Sequence, residues 1–289
     1  MSLIIRTCCP ACKSKEFKKL FSLPYKSEKI SNFINHYYKS YIKSSSLYGH
    51  EYNLLQCLNC NLIFQEQIPD DQFSKDLYEK FIDPNESLSK KNDFDNKFRK
   101  KLSFEMQLIK NLFKKDEKDI SILEFGAGWG FWSKHAQNSG YKVSAFEVSE
   151  KRIDFIKNNN INVVSNLSNH NLKYDLIYSE ETFEHISHPK DTIIELSKLL
   201  SKGGFIFLRF PSAFLFKSKL NKNYVPTSDC AHPLEHINIF CKKSFIQMLK
   251  DTNLEHIEFK SKFNFSIENF LRDLKNLIYF DSVLIKKVD

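Results

Sequence analysis

The stretch ILEFGAGWGFW, Ile122 to Trp132, places three glycines within five residues in a chain that has only seven among 289 residues. Glycine reaches left-handed backbone angles, and lets another backbone or a ligand come close, at no steric cost. A chain this sparing with glycine concentrates it where the backbone has no alternative. The apolar run before Gly126 and the helical pattern FWSKHAQNS after Gly130 make this a strand-to-helix turn.

That turn opens a longer alternation. ISILEF, YKVSAFEV, INVVSN, YDLIYS and GGFIFLRFP read as strands; FWSKHAQNS, EKRIDFIKNNN and HPKDTIIELSKLL read as helices. Alternating strands and helices predict an α/β fold with a doubly wound, mostly parallel sheet, whose ligands bind beyond the carboxyl ends of the strands. Upstream, Phe94, Phe98, Leu102, Met106, Ile109 and Leu112 recur at helical spacing. DQFSKDLYEKF reads as a further helix, and NESLSKKNDFDNKF as a polar linker or helix start. The expected organisation is a cysteine-bearing domain over 1–70, a helical linker over 71–118, the sheet domain over 119–262, and a C-terminal helix and tail over 263–289.

Residue detail narrows the ligand of the glycine loop. A phosphate-cradling loop needs G-x4-G-K-[ST], and no Lys-Ser or Lys-Thr follows these glycines. A dinucleotide loop needs G-x-G-x-x-G, whereas here Gly126, Gly128 and Gly130 are evenly spaced. Glu124, two residues before the first glycine, opposes a pyrophosphate anion. It suits a ligand carrying positive charge. Glu147 ends the next strand, where an acid accepts both hydroxyls of a ribose. An ammonium, a sulfonium and a ribose without phosphate describe S-adenosylmethionine, which is the expected cofactor.

The cysteines make a second constellation. Cys9-Pro-Ala-Cys12 and Cys57-Leu-Asn-Cys60 are two C-x2-C turns. Each spaces two thiolates for two corners of a tetrahedron, so the four together suit a structural Zn2+ with no position left for water. Cys8 is a spare that could replace Cys9 only at a spacing one residue longer, and Cys230 and Cys241 have no partner at ligand spacing. Lys13 to Gln56, between the turns, is expected to form a hairpin and loop hung on the metal. The zinc module is a small ribbon or treble-clef-like domain in this reading.

Charge and composition bound the partners. Lys+Arg number 43 against 35 Asp+Glu, a net +8, but the lysines are scattered in ones and twos rather than gathered on one stretch. A solvated basic surface is expected rather than a nucleic-acid face. No stretch reaches the ~20 apolar residues of a membrane span, and cysteines follow the N-terminus too soon for a signal peptide. The expected location is the cytoplasm.

Acceptor chemistry belongs in the loops after the fourth and fifth strands. His185, in FEHISHP, follows the fourth. After the fifth comes SAFLFKSKLNKNYVPTSDCAHPLEHINIF, a long segment of little periodicity, the kind that serves as a lid or binding loop. It holds Tyr224, Asp229, His232 and the adjacent pair Glu235-His236, the leading acid/base candidates. If those neighbouring side chains met, the acid would raise the basicity of the histidine.

Residues from Ile120 to about Lys260 resemble the class I S-adenosylmethionine-dependent methyltransferases. ILEFGAGWG is similar to their first motif, FEVSEK to the acidic second, YDLIYSEETFEHISHP to the fourth-strand motif and LLSKGGFIFLRFP to the fifth-strand segment. The resemblance implies a Rossmann-like fold in which the backbone of Gly126, Ala127, Gly128 and Gly130 holds the methionine part. Glu124 would then reach its ammonium through the loop or water, Glu147 would bind the ribose and Val148 would line the adenine. Glu180 is placed with this cofactor-binding group.

The segment P-L-E-H-I-N-I-F-C-x-x-S-F, together with the two C-x2-C turns, resembles the sugar C-methyltransferases of nucleotide-linked deoxysugars. That resemblance implies His236 as base beside Glu235, His185 as a substrate contact, and a sugar or glycan precursor as the small-molecule acceptor. The alternative is an RNA methyltransferase gripping nucleic acid with its zinc domain. Against it, the [ND]-P-P-[YF] motif frequent in base N-methyltransferases is replaced here by SEETFEH.

Overall fold

The structure is a computed structural model and describes residues 1–39, 41–82, 87–89, 96–168, 171–211, 213, 215–257 and 282–288. Its strands, in chain order, are β1 (Leu3–Ile5), β2 (Phe17–Pro24), β3 (Glu51–Cys57), β4 (Ile63–Gln65), β5 (Gln67–Pro69), β6 (Ser121–Phe125), β7 (Lys142–Phe146), β8 (Asn162–Val163), β9 (Tyr174–Glu180), β10 (Leu200–Arg209), β11 (Asn238–Ile239), β12 (Leu254–Ile257) and β13 (Ser282–Lys287).

Seven of them form one sheet in the order β12-β13-β10-β9-β6-β7-β8. β10, β9, β6, β7 and β8 run parallel, and β13 is antiparallel to both its neighbours. Both faces of these strands are apolar, because both are covered. Ile122, Leu176, Phe207 and Leu284 pack on one face with Leu102, Met106 and Ile109 of the helix Asn96–Leu112. Their chain neighbours Leu123, Ile177, Leu208 and Ile285 pack on the other with Ile193, Leu196, Phe245 and Met248. The doubly wound sheet predicted from the alternation is present. The strand order turns between β6 and β9, and the glycine loop stands at that switch point.

A second sheet, in the order β11-β4-β3-β2, carries the cysteine turns. Its β11 lies far along the chain, beyond β10, and pairs Asn238 with Phe64 and Ile239 with Ile63. Cys9, Leu55, Cys57, Cys60 and Phe64 share one buried core with Leu123, Ile177 and Leu208 of the large sheet. The cysteine module and the sheet domain are therefore fused through their cores rather than joined at a boundary.

Three details differ from expectation. Residues 282–287 are not a tail but a strand between β10 and β12, so the sheet domain extends past residue 262; the expected C-terminal helix lies outside the described residues. The segment between the cysteine turns contains a helix, Glu28–Tyr37, besides the β2–β3 pair, and buries Ile30 and Ile34. The helix expected over DQFSKDLYEKF runs over Asp71–Asp76, capped by Asp70 accepting from Phe73 N at 2.7 Å, and then widens into a π-helical turn at Leu77–Phe81. Much of the linker NESLSKKNDFDNKF lies outside the described residues. No helix among the described residues is long and apolar enough to cross a membrane.

Candidate active site

The glycine loop uses its glycines for conformation and for room. Gly126, Gly128 and Gly130 all have positive φ, at 76°, 56° and 70°. A Cβ on Gly126 would stand 2.3 Å from Thr182 Oγ1, well inside any tolerable contact. The loop is stitched to the end of β7: Gly126 N and Ala127 N donate to the Phe146 carbonyl at 2.9 and 3.0 Å. Gly128 N donates to Glu147 Oε2 at 2.7 Å.

Glu147 also accepts from Val148 N and Ser149 N on Oε1, at 2.8 and 3.0 Å. An ionised carboxylate offers about four acceptor positions. Three are filled by backbone, which leaves Oε2 one lone pair for a ribose hydroxyl. Glu124 is buried at the end of β6, where its Oε2 accepts from Ser133 N at 3.0 Å and from Ser133 Oγ at 2.5 Å. It thereby satisfies an otherwise orphaned donor in the first turn of the helix Phe131–Asn138. A link from this oxygen to a ligand ammonium would run through the loop, as the sequence reading has it.

These groups line one cavity of about 590 Å³, whose walls include Glu124, Gly126–Trp129, Glu147, Val148 and Glu180. The size suits a small-molecule cofactor with part of an acceptor. Val148 is 66 % exposed and forms a rim. Glu180 is held by Lys101 at 2.5 Å, Tyr178 OH at 3.0 Å and Arg209 Nε at 3.4 Å. Burial opposes its charge, but Lys101 and Arg209 outweigh burial and keep its pKa low. Arg209 also pairs with the buried Glu105 at 2.5 Å, and Glu105 accepts from Trp132 Nε1 at 3.0 Å. This support of Glu180 by Lys101, Glu105 and Arg209 is not apparent in the sequence; two of its members sit on a helix that reads as a linker.

The cavity is also lined by Glu181, Thr182, His185, Tyr78 and Arg152. Arg152 lies 5.9 Å from the Tyr78 ring centre and 5.8 Å from that of Trp129, within cation–π range of both. His236 lies behind His185, with ring centres 4.9 Å apart. His185 Nδ1 is 2.9 Å from the Glu235 carbonyl, and His236 Nδ1 is 2.6 Å from the Asp229 carbonyl. A carbonyl oxygen only accepts, so each Nδ1 carries the proton and each Nε2 keeps a lone pair. Burial, with the neighbouring His236, pushes the His185 pKa down to about 3; burial also lowers that of His236. Both rings are neutral at physiological pH.

The Glu235–His236 side-chain pair expected from their adjacency does not form. The Glu235 carboxyl turns away, accepts from Tyr38 OH at 2.7 Å and lies 3.5 Å from His232 Nε2. Burial raises its pKa to about 7, against the Tyr38 hydrogen bond and Arg152. The backbone carbonyl of Glu235, rather than its acid, is what touches a site histidine. Glu184, next to His185 in sequence, is 1 % exposed, and neither carboxylate oxygen has a hydrogen-bond partner. Burial and the nearby Glu181 push its pKa well up. Glu181 itself has a φ of +51°, a costly angle for a side chain other than glycine.

The cysteine module holds this region in place. Gln65 Nε2 donates to the His232 and His236 carbonyls at 2.8 and 3.1 Å, and its Oε1 accepts from Leu234 N at 3.3 Å. Arg6 donates to the Ile237 carbonyl at 3.0 Å and to Asn238 Oδ1 at 2.9 Å. The cysteine turns are near copies of each other. Lys13 N donates to the Cys9 carbonyl at 2.9 Å and Asn61 N to the Cys57 carbonyl at 3.0 Å; Lys13 and Asn61 share left-handed φ of 60° and 64°. The four Sγ atoms lie within 4.8 Å of one another, with Cys9–Cys60 and Cys12–Cys57 at 3.5 Å. Tetrahedral zinc with bonds near 2.3 Å separates its sulfurs by roughly 3.8 Å. The donor set and spacing fit such an ion.

A family described as a methyltransferase domain matches residues 96–258, more than half of the chain. Ubiquinone biosynthesis O-methyltransferase of Rickettsia bellii is 25 % identical over 179 residues, covering 55 % of this chain and 71 % of that protein. Among solved structures, an S-adenosylmethionine-dependent methyltransferase from Mesorhizobium loti is similar at 13 % identity and a TM-score of 0.45, covering 62 % of this chain and 96 % of that one. The plantazolicin methyltransferase in complex with SAH is similar at 18 % identity and a TM-score of 0.43, covering 68 % and 91 %. The family match spans the glycine loop, Glu147 and the sheet that positions them, and the chain belongs to the methyltransferase-domain family as an S-adenosylmethionine-dependent methyltransferase.

Proposed function

We propose that the protein methylates a small molecule, a sugar or glycan precursor in nucleotide-linked form, at a group presented to the Glu184–His185–His236 cluster. The observation that carries this is one shared cavity: the glycine loop and Glu147 line it together with Glu181, Thr182 and His185. A methyl donor on the loop therefore lies within the same cavity as an acceptor beside His185. The transfer is an in-line displacement, so it gains most from proximity and from removal of the acceptor's proton.

In this reading the proton is drawn off at the cluster, where His185 and His236 present unprotonated Nε2 atoms. Glu235 serves by placing its carbonyl on His185 and its carboxyl on Tyr38. Arg152, a cation on the cavity wall beside Tyr78, suits the phosphates of a nucleotide-linked sugar. The likeness of P-L-E-H-I-N-I-F to the sugar-modifying branch supports the sugar, and the Rickettsia relative, named for an O-methyl transfer in ubiquinone biosynthesis, supports a small molecule. The four cysteines hold a structural Zn2+ that keeps the acceptor wall in register.

The test is transfer of a labelled methyl group from S-adenosylmethionine across nucleotide sugars, glycan intermediates, phenolic quinone precursors and RNA. Label on a nucleotide sugar is the expected result, with the KM for that acceptor raised about tenfold or more in Arg152→Ala by loss of a charged contact. Label on RNA alone contradicts the reading.

A further inference from the structure

A carboxyl and two imidazoles converge where His185 meets the cavity. The Glu184 carboxylate, a ring nitrogen of His185 and one of His236 lie within 4.8 Å of one another. Glu184 Oε1 is 3.8 Å from His185 Nε2, too far for a hydrogen bond whichever atom bears a proton. Burial and the neighbouring carboxyl of Glu181 both oppose a charge on Glu184. A cation among these donors would favour its charged form.

The ring orientations point the same way. Histidines that ligate a metal donate their other ring N–H to a carbonyl or carboxylate, which fixes the tautomer and aims the lone pair. His185 and His236 both do so, through the Glu235 and Asp229 carbonyls. The two carbonyls belong to one loop, and Gln65 of the cysteine module holds that loop. The preorganisation therefore reaches well beyond the ligands.

We propose that Glu184, His185 and His236 bind a divalent first-row transition ion, Zn2+ or a neighbour such as Co2+ or Mn2+, at the acceptor end of the cavity. Two imidazoles and one carboxylate favour such an ion over Mg2+ or Ca2+, which take oxygen donors. Tetrahedral bonds near 2.0–2.2 Å put donors roughly 3.4 Å apart, so donors now within 4.8 Å of one another close by at most about 1.4 Å. Three protein ligands leave positions open, as in catalytic rather than structural sites. The open position takes the acceptor oxygen.

This rests on the reading that the cluster faces the acceptor, and it names how the proton leaves. The ion stabilises the acceptor's oxyanion, and the hydroxyl proton passes to solvent through the cavity mouth. The oxygen then forms its bond to the methyl carbon while the carbon–sulfur bond breaks, its electron pair going to sulfur. The products are the methyl ether, S-adenosylhomocysteine and one proton.

The test counts metal. Purified protein saturated with Zn2+ or Co2+ and passed through desalting is analysed for metal per chain, in wild type and in Glu184→Gln and His236→Ala. The cysteine site is common to all three, so only the difference is read. The expected result is one equivalent fewer in each variant, an affinity for that equivalent weakened at least about 100-fold, and Co2+ visible bands lacking thiolate charge transfer in wild type alone. S-adenosylmethionine affinity, unchanged in Glu184→Gln, shows that the variant is folded. Equal metal content in wild type and both variants overturns the proposal. In that event methyl transfer by the wild type still stands, with the imidazoles themselves taking the proton. Full turnover after removal of the second equivalent overturns the catalytic role of the ion.

Discussion

At the scale of single residues, the cofactor side and the acceptor side of the site differ in how they are built. The cofactor side is local: Gly126, Gly128 and Glu147 act within one strand–loop–strand unit, through backbone hydrogen bonds at 2.7 to 3.0 Å. Replacing Glu147 by Ala removes the acceptor of three backbone donors together with the ribose contact proposed for it. Calorimetric titration should show S-adenosylmethionine affinity falling at least about tenfold, since a charged hydrogen bond alone contributes roughly 1.5–3 kcal/mol. An affinity equal to wild type would remove Glu147 from the cofactor site. The acceptor side is not local, and so it was read less well. Adjacency suggested that Glu235 and His236 act as a pair, but side chains one residue apart in irregular backbone have no reason to point together. Glu235 found Tyr38 in the cysteine module, and His236 found a carbonyl at Asp229. Glu184 does not stand out in sequence, where it is one of three acids in SEETFEH; its deep burial beside His185 and His236 marks it.

At the scale of elements, the five parallel strands and their helices were legible because each carries its own apolar pattern and its own turn chemistry. The place of β13 between β10 and β12 was not, because it is set by pairing across the molecule rather than by anything in SVLIKK. The start of β9 is fastened by Asp175, which accepts from Ser121 N at 2.9 Å and Ser121 Oγ at 3.1 Å on β6 and pairs with Lys115 at 2.6 Å. Burial disfavours its charge, yet Lys115 and Ser121 outweigh burial and hold its pKa below the usual value. A carboxylate whose folded pKa is depressed adds stability above its unfolded pKa of about 3.9 and loses it as pH falls through the folded value. Asp175→Asn should therefore cost about 1–2 kcal/mol at pH 7, with the gap to wild type closing below pH 4 in chemical denaturation. A gap independent of pH would mean that the charge at Asp175 does not fasten these strands.

At the scale of the whole molecule, the cysteine module and the methyltransferase sheet divide the work. The sheet holds the methyl donor. The module, through β4 against β11, Gln65 and Arg6, holds the loop that carries His232, Glu235 and His236. Two C-x2-C turns announce a metal in sequence, but nothing in sequence says that the module completes an active site, since those contacts span more than 160 residues, as Gln65 to His232 shows. Disrupting the cluster with Cys57→Ser should lower methyl transfer more than tenfold, in keeping with the effect of disturbing metal support. S-adenosylmethionine binding should survive at temperatures where the sheet remains folded, which calorimetry and circular dichroism together would establish.

The most direct test of this division is transfer of a labelled methyl group at saturating S-adenosylmethionine by wild type and His236→Ala. The expected result is a labelled acceptor with wild type, a loss of at least about 100-fold in the variant as for a proton-removing group, and one cofactor affinity for both. Undiminished transfer by His236→Ala, or loss of cofactor binding with it, would contradict the account.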